Sequence, residues 1–164
     1  MESLAGNDVL NGGDGDDFLN GGAGVDRIIG GNGFDVLFGG EDTETQSARD
    51  SLTGGANTDY FQLLYTAFVP EPPVVGEPVI PPPVGDHVVD FVKGTDFLVV
   101  EGITFEQLGF QNITLPVAGS TTPSLSTRIY VLPGAGIPIA QAETLAVVQG
   151  VRGFNASHFI FGAI

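Results

Sequence analysis

Aspartates recur at a step of nine residues, at Asp8, Asp17, Asp26 and Asp35, and glycine pairs keep the same step at Gly12-Gly13, Gly21-Gly22, Gly30-Gly31 and Gly39-Gly40. Two residues beyond each aspartate stands an aliphatic: Leu10, Leu19, Ile28 and Leu37. Glycine turns bare their backbone carbonyls, because glycine takes positive φ and has no side chain in the way. One carboxylate per turn completes a set of hard oxygen donors. Such a set suits calcium, which takes about six to eight oxygens at roughly 2.3–2.6 Å in loose geometry. The candidate donors are Asp8, Asp17, Asp26, Asp35, Asp50 and Asp59, with the turn residues Gly13, Gly15, Gly22, Gly24, Gly31, Asn32 and Gly33. Glycine and aspartate alone would mean only ordinary turns. The phase-locked aliphatic position makes them repeats.

The phase breaks once. A polar stretch from Glu41 to Arg49 carries six extra residues, after which Asp50 and Leu52 restore the register. Gly54-Gly55-Ala56-Asn57-Thr58-Asp59-Tyr60-Phe61 is a last, degenerate copy. Asn57 stands where the repeat has glycine, and Glu41-Asp42 where it has a small residue and glycine, so the third and last loops are expected to be altered.

The runs Gly12 to Asn20, Gly21 to Ile29 and Gly30 to Phe38 resemble the calcium-binding nonapeptide of the RTX (repeats-in-toxin) family, over roughly residues 3 to 62. The resemblance implies an all-β fold, a parallel β-roll or β-solenoid in which two repeats make one coil. It places Asp8 and Asp26 on one edge and Asp17, Asp35 and Asp59 on the other, with about two to four calcium ions between stacked loops. Asp50 is harder to place, because the insertion disturbs its loop. Neighbouring coils lie about 4.8 Å apart. Two carboxylates at about 5 Å repel by roughly 3 kcal/mol at an effective dielectric near 20. That is as much as burying the repeat's one aliphatic side chain returns, about 1.5–3 kcal/mol. Calcium binding and folding are therefore expected to be one event.

Twenty acidic residues against five basic ones give a net charge of −15. Nucleic acid and anionic membrane surfaces would repel such a chain, and a metal cation is its natural counter-charge. No cysteine is present, which excludes disulfides and thiol chemistry. No run of 18 or more apolar residues occurs, so no transmembrane helix is expected. Phosphate-loop, EF-hand, nucleophile-elbow and metalloprotease motifs are all missing. His87 and His158 are isolated bystanders, and Asp86, Asp90 and Asp96 read chiefly as solvated acids flanking turns, with a final calcium site that closes the roll as the lesser alternative. The expectation is a non-enzymatic protein.

Three segments follow: the repeats over 1–68, a proline-rich loop or linker over 69–85, and a β-rich C-terminal capping or secretion module over 86–164. The linker holds seven of the eleven prolines and favours an extended, semi-rigid chain. Strand signals follow at Val88 to Val92, Phe97 to Val100, Arg128 to Leu132, Thr144 to Val148 and Phe159 to Phe161, with one helical turn from Thr104.

Val88 to Leu98, Phe105 to Leu108 and Glu143 to Val151 resemble the module that follows RTX repeats in cyanobacterial secreted proteins. The end, His158 to Ile164, is similar to tails read by type I secretion machinery. These likenesses imply an extracellular or cell-surface protein that stays unfolded at low cytosolic calcium and folds outside. Met1-Glu2-Ser3-Leu4 opens no basic-then-apolar leader, so either another export route or a piece of a longer chain is expected. An unpaired N-terminal coil edge points to self-association, as a homo-oligomer or head-to-tail filament. The rival reading is an export and folding module of a larger enzyme or adhesin.

Overall fold

A computed structural model of the chain describes residues 1–40, 49–65, 85–115, 122–132 and 142–162. The polar insertion (41–48), most of the proline-rich linker (66–84) and the last two residues of the apolar tail lie outside the described residues.

The repeats build short strands of three to six residues, and the longer ones run on through the glycine pair. They are β1 (Val9–Asp14), β2 (Phe18–Asn20), β3 (Arg27–Asn32), β4 (Val36–Phe38), β5 (Ser51–Ala56) and β6 (Tyr60–Leu63). Odd and even strands fall on opposite sides, so each coil contributes one strand to each of two parallel sheets. Strand β1 pairs with β3 and β3 with β5, while β2 pairs with β4 and β4 with β6. The aliphatic of every repeat turns inward. Leu10 is 3 % exposed, and Leu19, Ile28, Leu37, Leu52 and Phe61 are fully buried. Register stacks Leu10, Ile28 and Leu52 in one row and Leu19, Leu37 and Phe61 in the other.

Both sheets continue beyond the proline-rich stretch. Strands β7 (Asp86–Val88) and β8 (Phe97–Val100) add a fourth coil, in parallel register on β5 and β6. Val88 and Leu98 extend the two buried rows. The strand expected over Val88 to Val92 is shifted: the extended segment ends at Val88, and the chain bends at Asp90. Then β9 (Leu108–Leu115), β10 (Ser124–Val131) and β11 (Thr144–Val148) close the first sheet, and β12 (Phe159–Phe161) closes the second. Strand β11 joins β7 in parallel, whereas β10 runs antiparallel to both β11 and β9.

Phe91, Phe105, Phe110, Phe154 and Phe159 fill the C-terminal end of the core, with ring centroids 5.6 to 6.0 Å apart in neighbouring pairs. The expected turn from Thr104 is a 3-10 helix over Phe105–Gln107, where the Thr104 N–H donates to Gln107 Oε1 at 2.9 Å. Among the described residues, no helix is long and apolar enough to cross a membrane.

Candidate metal centre

The turns place the aspartates in two columns. The carbonyls of Asp8, Asp26 and Asp50 accept from the N–H of Arg27, Ser51 and His87 in the following coil, at 2.8 to 2.9 Å. Those of Asp17, Asp35 and Asp59 accept likewise from Val36, Tyr60 and Phe97. One edge thus stacks Asp8, Asp26, Asp50 and Asp86, and the other stacks Asp17, Asp35, Asp59 and Asp96. Asp50, unplaced by the sequence, sits in line between Asp26 and Asp86.

Each column is tied by its own side chains. The N–H of Asp8 donates to Asp26 Oδ1 at 2.7 Å, and that of Asp26 to Asp50 Oδ1 at 2.7 Å. On the other edge Asp17 donates to Asp35 at 2.9 Å, Asp35 to Asp59 at 3.2 Å and Asp59 to Asp96 at 3.2 Å. In Asp26, Asp50, Asp35, Asp59 and Asp96 one carboxylate oxygen is therefore spent on the neighbouring coil. The second oxygens of Asp17, Asp26, Asp35 and Asp59 are buried and receive no hydrogen bond. A buried carboxylate oxygen without a donor costs free energy unless a cation meets it.

The glycines make the room. A Cβ on Gly12, Gly21, Gly30 or Gly54 would overlap the bare oxygen of Asp17, Asp26, Asp35 or Asp59. Gly31 (φ 121°) and Gly33 (φ 143°) lie so close to the carbonyls of Gly13 and Gly15 in the coil before that a side chain would overlap them. Gly22 and Gly24 hold the equivalent places on the other edge, above Leu4 and Gly6. Asn57 takes the same left-handed conformation, φ 82°, the one non-glycine among the described residues to do so. Asparagine tolerates that region better than other side chains.

Among the described residues, no three acidic or histidine side chains converge. The donor set is instead one carboxylate oxygen per turn beside backbone carbonyls. It consists of oxygen alone, which fits calcium rather than a softer metal. Asp17, Asp26, Asp35 and Asp59, with the turn carbonyls between them, are the residues that would hold it. Asp8 differs, since its Oδ2 accepts from Ser3 Oγ. Asn32 ties turns together: its amide donates to Asp14 Oδ1 at 2.8 Å, and its carbonyl accepts from the Gly15 N–H at 2.8 Å.

Burial pushes the carboxyls of Asp26 and Asp35 above the usual range, and the aspartate one coil earlier adds to the rise. Asp59 goes up to about 7, chiefly by burial and then by Asp96, Asp35 and Asp90, against the Asp35 N–H bond that lowers it. The columns hold more negative charge than their surroundings favour.

Asp90 and Asp96, expected chiefly as solvated acids, stand at the end of the stack. Asp90 accepts from the N–H groups of Gly54 and Gly55, both at 2.9 Å. Asp96 accepts from Val92 N–H at 2.7 Å through the oxygen that its column-mates leave bare. At this end, backbone donors stand where the earlier turns offer open carboxylate. Sequence reasoning also passed over Asn7 and Asp16, whose Oδ1 atoms accept from Val25 and Phe34 N–H at 3.0 and 2.9 Å. The 18-residue spacing of each pair was the available signal.

Residues 2–28 and 21–45 match the RTX calcium-binding nonapeptide repeat family, described as four copies. Over those residues the chain is similar to RTX calcium-binding repeats. A solved structure, that of the AlgE6R3 subunit from the Azotobacter vinelandii mannuronan C5-epimerase, is similar over 96% of this chain and 80% of its own, with TM-score 0.56 and 20% identity. The shared fold is the β-roll. No curated protein matches the sequence significantly.

Proposed function

We propose that this chain is a non-catalytic module that folds around several calcium ions outside the cell. The buried, donor-less Oδ2 atoms of Asp17, Asp26, Asp35 and Asp59 carry the reading. Bound calcium supplies the positive charge that lets stacked carboxylates share a buried edge. The chain's own part is to aim one carboxylate oxygen per turn at the glycine carbonyls, and to spend the other oxygen holding the coils in register. Type I secretion and an extracellular or cell-surface address belong to this reading, because low internal calcium would leave the columns self-repelling and the chain unfolded for export.

Two uses of such a roll remain in the proposal. Head-to-tail self-assembly is supported by β1, which among the described residues has a strand partner on one side only and carries Val9 at 73 % exposure. Service as a module beside a larger enzyme or adhesin is supported by the likeness to a subunit of an epimerase. Calorimetric calcium titration of the chelator-treated chain, followed in parallel by far-UV circular dichroism, tests the common core. Several ions binding as β-structure appears is the expected result. No binding at millimolar calcium would overturn it.

A further inference from the structure

We propose that Asn32 is a self-modification site: it loses its side-chain amide to the backbone nitrogen of Gly33 when the coils part, and the closed stack suppresses the reaction. Asn32-Gly33 is one of three asparagine-glycine steps in the chain, with Asn11-Gly12 and Asn20-Gly21, all of them inside the repeats. Such a step is reactive because glycine sets no side chain in the way of attack by its own nitrogen. Asn32 is exposed, so water reaches it and burial gives it no shelter. Hydrogen bonds are what restrain it.

Those bonds come from the coils on both sides. In the coil before, Asp14 Oδ1 accepts from the Asn32 amide at 2.8 Å, and the Gly15 N–H donates to the Asn32 carbonyl at 2.8 Å. In the coil after, the Ala56 carbonyl accepts from the Gly33 N–H at 3.2 Å. Attack requires the Gly33 nitrogen to shed its proton and the Asn32 side chain to swing onto it, so the bonds to Asp14 and to Ala56 must both break. Asn20 is held otherwise. Its Oδ1 accepts from the Gly22 N–H of its own turn at 3.1 Å, and the Gly21 N–H donates to the Phe38 carbonyl at 3.0 Å. Only at Asn32, of these two, does the side chain depend on the coil before it.

The step uses no oxidant and no second substrate beyond water. The Gly33 nitrogen bonds to Cγ of Asn32, the bond from Cγ to the amide nitrogen breaks, and ammonia leaves with the proton that Gly33 gave up. Water then opens the ring at one of its two carbonyls. Opening at Cγ leaves an ordinary aspartate, and opening at the main-chain carbonyl leaves a β-linked one. Either product harms the turn. A carboxylate in place of the amide meets Asp14 Oδ1 with no hydrogen to donate and with like charge. A β-linkage lengthens the main chain by a methylene between Gly31 and Gly33, where the carbonyls of Gly13 and Gly15 leave no space. The same turn leads into Asp35, so a modified chain restacks and holds calcium less well. Time spent without calcium is thereby turned into a lasting loss of folding, a consequence that rests on the calcium-coupled folding proposed above.

Peptide mass mapping of the full chain after incubation in calcium, in chelator and in urea follows the amide-to-acid mass gain at Asn32, with circular dichroism on the same samples. Asn32 should react in urea and about tenfold or more slowly in calcium, because reaction waits on opening of the stack. Chelator should bring the rate toward the urea value. Asp14→Ala should speed Asn32 in calcium by about threefold or more while leaving Asn20 unchanged. Asn32 as reactive in calcium as in urea, or inert in urea, overturns the proposal. So does a folded Asp14→Ala chain in which Asn32 is no faster, or in which Asn20 quickens equally. A chain that folds without calcium overturns the calcium reading instead, and Asn32 slower in that fold than in urea would uphold the site.

Discussion

The N–H of Asp26 donates to Asp50 Oδ1 at 2.7 Å across 24 residues, the same bond that Asp8 makes to Asp26 across 18. Six extra residues in the loop leave the bond unchanged. The column is defined by what each carboxylate touches, and its two oxygens do separate work.

That division can be tested at Asp35. In Asp35→Asn the amide oxygen can still accept from Asp17 N–H, but the charged oxygen over Gly30 is lost. Calcium affinity should fall about tenfold or more, equivalent to about 1.4 kcal/mol. In chelator the same variant should melt higher than wild type, because a buried charge has gone. Calcium titration and thermal melts with and without chelator read both effects. Lower stability in both conditions would mean that Asp35 is simply structural.

Protons should partly replace the metal. Burial and neighbouring acids raise the carboxyls of Asp26, Asp35 and Asp96, and raise Asp59 to about 7. Groups whose folded pKa lies above the unfolded value stabilise fully below the unfolded value, near 3.8, and that contribution is lost as pH rises through the folded one. Without calcium, the roll should therefore be more stable at about pH 5 than at about pH 8. Calcium binding near pH 6 should release protons, seen as a dependence of the binding heat on the buffer. A chelated chain equally unfolded at both pH values would refute this.

Asp90 should behave as a cap and not as a ligand. Asp90→Ala strips the acceptor from the N–H groups of Gly54 and Gly55 and should cost about 2 kcal/mol in denaturant unfolding. The number of ions bound at saturation should not change. Loss of one ion would move Asp90 into the metal centre.

At Asn57 the left-handed backbone decides the outcome. Asn57→Ala should destabilise the calcium-loaded chain by about 1 kcal/mol, whereas Asn57→Gly should be tolerated. Chemical denaturation in calcium measures the difference.

The repeats were legible because glycine pair, aspartate and aliphatic share one phase, and burial of Leu10, Leu19, Ile28 and Leu37 follows from it. The fourth coil was not read as part of the roll. Its glycine pair is replaced by Asp90-Phe91, and the proline-rich stretch interrupts the count before it. Its trace survived in Asp86-His87-Val88 and Asp96-Phe97-Leu98, each an aspartate followed two residues later by an aliphatic. Strand β9 was missed for another reason. Its Gln111 and Asn112 are exposed at the sheet edge, so no apolar run announced it. The bare Oδ2 atoms could not be read from sequence at all, since they depend on which oxygen each neighbouring N–H takes.

Both interruptions of the repeat fall on the same side. The six-residue insertion lies between β4 and β5, and the proline-rich stretch between β6 and β7, the two links that return from the smaller sheet to the larger. The opposite links, at Gly12 to Asp17, Gly30 to Asp35 and Gly54 to Asp59, keep their length. The roll thus has a permissive margin and a fixed one. A foreign peptide grafted into residues 41–48 would be displayed without shifting the Asp17–Asp35–Asp59 stack, whereas the same graft beside Asn32 would pull that stack out of step.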